Sequence, residues 1–210
     1  LHFIPWPSNP SDNVLGWRAM KVATRGDIRP EERVVFANGV EGLFIQGLGS
    51  RIDEGTRKAL KDLGIDLANL KPGYPATTWR KAIDVILKQT LRDRPEAEAF
   101  RFLGERSVLG LCETMVGRAM VAMAKVIGPR RMMQRLPHTI RTGDNFSQCE
   151  ITERGERHFE VVVQPFLLHP QFMEGVLTAM LEITGTKQGQ AKVLSFDASQ
   201  ERVHLEVRWD

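Results

Sequence analysis

Apolar residues recur at two different spacings along this chain, and the change from one to the other falls between Ile140 and Cys149. Upstream the spacing is helical. Trp79, Ala82, Ile83, Ile86, Leu87 and Leu91 fall at i, i+3, i+4, i+7, i+8 and i+12, which is one face of an amphipathic helix. After Pro95 a longer stripe begins: Ala99, Phe100, Leu103, Ser107, Leu111, Met115, Ala119, Met123 and Val126, persisting to Gly128-Pro129. It is apolar on more than one side near its middle, so it predicts a central buried helix, kinked at Gly104 or Gly110. A short helix from Pro129 to about Ile140 follows. Downstream the spacing is two. Cys149, Ile151, Phe159, Val161 and Val163 alternate with polar residues around a Glu153-Arg154-Gly155-Glu156 turn, and Val193, Ser195, Val203, Leu205 and Val207 repeat the pattern. Between these hairpins Pro170 opens a helix with Phe172, Val176, Ala179, Met180 and Ile183 on one face and Gly185 after it. Both kinds of stripe are buried together most simply in an α+β fold. The helical first two thirds pack on one face of a four-stranded antiparallel sheet made of the two β-hairpins.

Shorter signals fill in the rest. Val34, Val35 and Phe36 read as a strand, and Asn38 with Glu41 as a capping box opening a helix to about Leu48. Gly39, Gly42, Gly47 and Gly49 fall in that stretch, each costing roughly 1 kcal/mol against Ala in a helix interior. Close approach of a neighbouring backbone is the expected compensation. Asp53 caps the next helix, which ends at Gly64.

Residues 1–30 differ from the remainder. Pro5, Pro7, Pro10, Asn9, Ser11 and Asn13 punctuate them, and Phe3, Ile4, Trp6, Leu15 and Trp17 follow neither period, so they are expected to form a loosely ordered extension before a single α+β domain over 31–210. At 210 residues the chain can bury one sizeable core. Its 29 basic and 26 acidic residues are interspersed and leave a net charge of +3, which is not the field of a general nucleic-acid binder. Two cysteines, Cys112 and Cys149, with no CxxC or CxxH, argue against a disulfide framework or structural zinc and fit a reducing compartment. With no apolar run near the roughly 20 residues of a spanning helix and no signal peptide, the cytoplasm is the expected location.

Familiar catalytic patterns are absent from the sequence. The five histidines, His2, His138, His158, His169 and His204, are scattered, and neither HExxH, a P-loop nor a GxSxG elbow occurs. His169, just before Pro170, has the two readings of a haem-type ligand and a helix-boundary residue. Cys112, within an apolar helix, reads as a core thiol. No metal or cofactor is expected.

A set of short motifs carries a resemblance. Arg-Val-Val-Phe (33–36), Val-Glu-Gly-Leu-Phe (40–44), Gly-Leu-Gly (47–49), Gly-Ile-Asp-Leu (64–67), Tyr-Pro (74–75) with Trp79, Leu-Gly (103–104), Gly-Pro-Arg-Arg (128–131), Arg-Thr-Gly-Asp-Asn (141–145) and Phe-x-x-Gly-Val-Leu (172–177) together resemble an uncharacterised myxobacterial paralogous family, a domain of unknown function of about 200 residues. The resemblance covers about residues 33–209. The order of helices and hairpins also resembles the ligand-binding superfamily of vinyl-reductase-type domains, haem nitric-oxide sensors and TRAPP-like vesicle-tethering subunits. That resemblance implies a ligand-enclosing fold and supplies no catalytic residue.

Two features remain as candidate sites. Met115, Met120 and Met123, with Arg118 interrupting them, could line an adaptable apolar ligand pocket; ordinary core filling is the alternative. Arg130, Arg131, Arg135 and Arg141 lie within twelve residues beside a Gly143-Asp144-Asn145 turn, an arrangement that suits anion or partner contact by the arginines and Asn145. A solvated helix face explains the same cluster. The expectation is a non-enzymatic ligand-sensing or protein-interaction module of a bacterial signalling system, taking an apolar small molecule or a partner protein, with a homodimer open and nucleic acid excluded as partner. A nucleic-acid-linked regulator and an unrecognised enzyme are the alternatives.

Overall fold

The structure, a computed structural model, describes residues 28–210. The extension expected over residues 1–30 therefore lies almost wholly outside the described residues. A three-residue strand β1 (Val34–Phe36) pairs antiparallel with β2 (Gly73–Pro75). Between them run α1 (Ala37–Val40), which continues in wide π-type turns over Glu41–Leu48, and α2 (Glu54–Asp62). Then come α3 (Ala76–Gln89), α4 (Glu96–Glu113) and α5 (Met115–Ile140). The last third is β3 (Gln148–Gly155), β4 (His158–Gln164), α6 (Pro170–Ile183), β5 (Gln190–Asp197) and β6 (Arg202–Arg208). The fold is α+β, and its four-stranded sheet has the antiparallel order β3-β4-β6-β5. No single helix among the described residues is long and apolar enough to cross a membrane.

The alternation fixes which sheet face is covered. Phe159, Val161 and Val163 on β4 and Val203, Leu205 and Val207 on β6 are inaccessible to solvent and pack against the helices. The other face is polar. There Glu160 and Glu206 stand directly opposite each other, yet Arg154 and His204 approach the first, and Arg208 and His158 the second, relieving the like-charge contact. The first hairpin turns at Glu156 and Arg157, two residues beyond the expected position, because β3 continues through a bulge at Glu153–Gly155.

Two apolar cores result. One gathers Leu43, Phe44, Leu60, Trp79, Ile83, Ile86 and Leu103, with Phe44 stacked on Trp79 at 5.2 Å between ring centroids. The other lies under the sheet and joins Met133, Leu136, Leu177 and Leu181 to the strands. Helices α4 and α6 meet between them, and glycine makes the meeting possible. A methyl group on Gly104 would strike the Phe172 carbonyl and lie 2.9 Å from the Val176 nitrogen; one on Gly175 would strike the Arg101 carbonyl. On the opposite flank of α4, Gly110 faces the Gly42 carbonyl and the Gly47 backbone, which realises the close approach expected of the glycine-rich segment. Glu174, buried on α6, pairs with Arg101 of α4 and accepts from Val193 N at 3.1 Å, where a bulge frees that donor from the β5–β6 ladder.

Several local expectations need correction. Asn38 does not open a capping box: the helix starts at Ala37, and Asn38 Oδ1 accepts from the adjacent Gly39 N. Gly104 and Gly110 do not kink α4, because both are packing contacts inside a continuous helix. The long stripe from Ala99 to Val126 is not one helix. It breaks at Thr114, whose extended backbone (φ −69°, ψ 159°) and hydroxyl, accepting from Gly117 N at 3.0 Å, begin α5 afresh at a bend of 103°. The helix enclosed by protein on several sides is α6, which lies between α4 and the sheet. The expected interruption at Gly128-Pro129 is present within α5, with Gly128 at φ +73°. Asp53 caps α2 through Thr56 N at 2.7 Å, and Gly64 ends it at φ +89°.

Candidate functional site

Where α4, α5 and α6 converge they fail to close, and a cleft of about 170 Å³ remains beside α1. Its walls are Ser107, Val108, Leu111 and Cys112 from α4, then Gly117, Met120, Met132, Leu136 and Ile140 from α5. Val176, Met180 and Ile183 of α6 form the floor, and Asn38, Thr139 and Thr142 join Ser107 as the polar side chains of the lining. The cause is visible in the packing. Glycine draws α6 against the first half of α4, while the 103° bend carries α5 away from the second half.

The polar groups of the cleft are turned inward on the protein. Ser107 Oγ donates to Gly104 O at 2.7 Å, Thr142 Oγ1 to Thr139 O at 2.7 Å and Thr139 Oγ1 to Arg135 O at 3.3 Å. Asn38 Nδ2 donates to Thr142 O at 2.9 Å, tying α1 to the turn after α5. The three hydroxyl hydrogens and one of the two Asn38 amide hydrogens are thereby spent, and no charged side chain stands among the lining residues. Cys112 is the one titratable residue in the lining, and burial, helped by the Glu113 carboxylate, pushes its thiol up from the ordinary cysteine value. It is therefore held as a neutral thiol and not as a nucleophile.

The methionines singled out by spacing separate here. Met120 lines the cleft. Met123 is 43% exposed, and its sulfur lies 3.6 Å from Arg135 Nη1 on the outside of α5. Arg118 is also exposed and donates to Glu113 O at 3.1 Å, while the Met115 side chain lies outside the described positions. The arginines do not converge on the cleft either. Arg130 reaches Glu153 of β3 at 2.5 Å; Arg131 and Arg141 are exposed, and Arg135 contacts Met123. Asn145 has a structural part: its Oδ1 accepts from Val34 N at 2.8 Å and its Nδ2 donates to Glu32 O at 3.0 Å, holding β1 against the turn. Val108, Leu136 and Met180 were not anticipated as lining residues. The apolar faces containing Leu111 and Met180 were legible as stripes, but a stripe does not reveal which part of it is left uncovered.

Solved structures share this architecture. An unliganded Fe(II) H-NOX protein from K. algicida is 10% identical, with a TM-score of 0.57 over 82% of this chain and 95% of that one. A structure bearing on H-NOX activation is 11% identical at a TM-score of 0.59, covering 84% and 96%. An oxygen-binding H-NOX domain related to soluble guanylate cyclases is 9% identical at 0.52, covering 82% and 92%. These likenesses establish the fold. A further member of the group concerns haem, and the cleft here does not suit that group. Haem iron needs a protein axial ligand such as imidazole, thiolate or phenolate. The lining offers neither histidine nor tyrosine, and its cysteine is held protonated. His169 lies elsewhere, its ring stacked on Phe100 at 5.0 Å. No curated protein matches this chain in sequence. One family profile does, across residues 33–210, and the chain belongs to that family, a protein of unknown function (DUF2378).

Proposed function

We propose that this chain is a non-enzymatic ligand-sensing domain of a bacterial signalling system, and that the α4–α5–α6 cleft holds a small, neutral, apolar ligand. What supports this reading is an apolar cleft whose polar side chains are already bonded to the protein. A charged ligand would lose its hydration there and gain no charged partner, since the lining holds no acidic or basic side chain. Size restricts the ligand further: a dry apolar cavity of about 150 Å³ accepts benzene or xenon, and this cleft is of that order. The kinship of fold with an oxygen-binding domain agrees with a small-ligand sensor, although the chemistry of the lining differs from a haem site.

Val108→Phe tests the proposal. The added ring should fill the cleft, change stability by less than about 1 kcal/mol and abolish benzene binding measured by calorimetry. In a close-packed site the same change would overpack and cost about 1–3 kcal/mol. That cost, with no benzene binding by the wild type, would refute a ligand cleft. Native mass spectrometry of the purified protein would report a co-purified ligand directly.

A further inference from the structure

We infer that a second cleft, at the start of α4, is a binding site for an organic ammonium ion carrying an apolar body. It encloses about 340 Å³ between α3, the first turn of α4, the β4–α6 connection and the β5–β6 turn, and shares no lining residue with the first cleft. Its size is at the lower end of the range for small-molecule sites.

The walls and the rim point to the same class of ligand. Phe100 and Phe166 are buried in the wall, while Phe196 is 39% exposed, one of few large apolar side chains so open among the described residues. His169 lies flat on Phe100, with rings 15° from parallel, and its Nδ1 is buried without a hydrogen-bond partner. Around these rings stand three carboxylates, Asp84, Glu96 and Glu201, against one guanidinium, Arg80. Glu201 is held by Arg33 at 2.6 Å. Asp84 and Glu96 have no ion-pair partner within the described residues. Aromatic faces attract cations, and an excess of carboxylates at a cleft mouth favours the same sign of charge. An anion would be repelled, and a neutral molecule would gain the apolar contact alone.

The probe is 2-phenylethylammonium, titrated by NMR against the full chain, with 2-phenylethanol and 3-phenylpropionate as neutral and anionic counterparts. Saturable millimolar binding of the ammonium is expected, at least tenfold tighter than that of the alcohol and weakened by salt. Joint replacement Asp84→Asn with Glu96→Gln should lower its affinity at least tenfold, and Phe196→Ala several-fold. All three positions are exposed, so an unchanged thermal midpoint is expected to accompany each loss. Val108→Phe, which fills only the first cleft, should leave ammonium binding intact. The inference is overturned if the alcohol binds within twofold of the ammonium, if neutralising the two acids changes nothing, or if no saturable binding occurs below about 20 mM, a weaker interaction than about −2.3 kcal/mol. Loss of binding in Val108→Phe would likewise overturn it, by assigning the ammonium to the first cleft.

Discussion

At the scale of single residues, Asn145 shows how a side chain with the chemistry of a ligand contact can be spent on the fold. Both ends of its amide are used on backbone groups of residues 32 and 34, more than one hundred positions away, and its own N–H donates to Val34 O at 3.1 Å. Asn145→Ala should therefore leave Val34 N without its acceptor and cost about 1–3 kcal/mol in urea unfolding. A loss below about 0.5 kcal/mol would show that water replaces the amide. Arg130 is a contrasting case. Its pairing with Glu153 at 2.5 Å is half exposed to solvent, so despite the short distance it contributes at most about 1 kcal/mol. Neither residue could be assigned from sequence, because the sequence displays their functional groups and hides the partners.

At the scale of elements, the glycines of α4 and α6 determine what can pack where. A methyl at Gly104 would meet backbone of α6 on two sides, with no flexible side chain to yield. Gly104→Ala should cost at least the 1–3 kcal/mol of ordinary overpacking, and Gly175→Ala should behave alike because it occupies the same crossing from the other side. If thermal unfolding of either variant matches wild type, the two helices can separate without loss. Much of this level was legible: the period-two segments became β3 to β6, the Trp79 stripe became α3, and Asp53 and Gly64 bound α2 as their chemistry dictates. What escaped was the break at Thr114. The apolar spacing runs across it unbroken, and a threonine that caps a new helix looks in sequence like one inside an old helix. That single misreading carried Met123 into the expected pocket, since its face was extrapolated from α4. The cleft itself was hidden for a different reason. It is the space left by three helices that glycine and a bend hold at particular distances, a property of none of them alone.

At the scale of the whole molecule, the two cores meet at the α4–α6 crossing, and the first cleft opens beside that seam. A ligand there would bridge elements belonging to different cores and stabilise the domain as a unit. Benzene at about one hundred times its dissociation constant should stabilise the wild type by about 2.7 kcal/mol and leave Val108→Phe unaffected; equal shifts in both would place the binding elsewhere. The interruption at Gly128 divides α5 into unequal partners. After it, Met132, Met133 and Leu136 are buried under the sheet and Arg130 and Gln134 both reach Glu153. Before it, Ala119, Ala122, Met123, Lys125 and Val126 all face solvent, Val126 at 86% exposure, and Ala124 alone is fully enclosed from position 118 to 127. Natural selection for a stable core consequently has little hold on that first half. Across related chains, residues 118–127 should drift or be retuned freely while residues 129–140 stay constrained, so the part of the cleft wall that Met120 supplies can change from one relative to the next while the part formed by Met132, Leu136 and Ile140 is held.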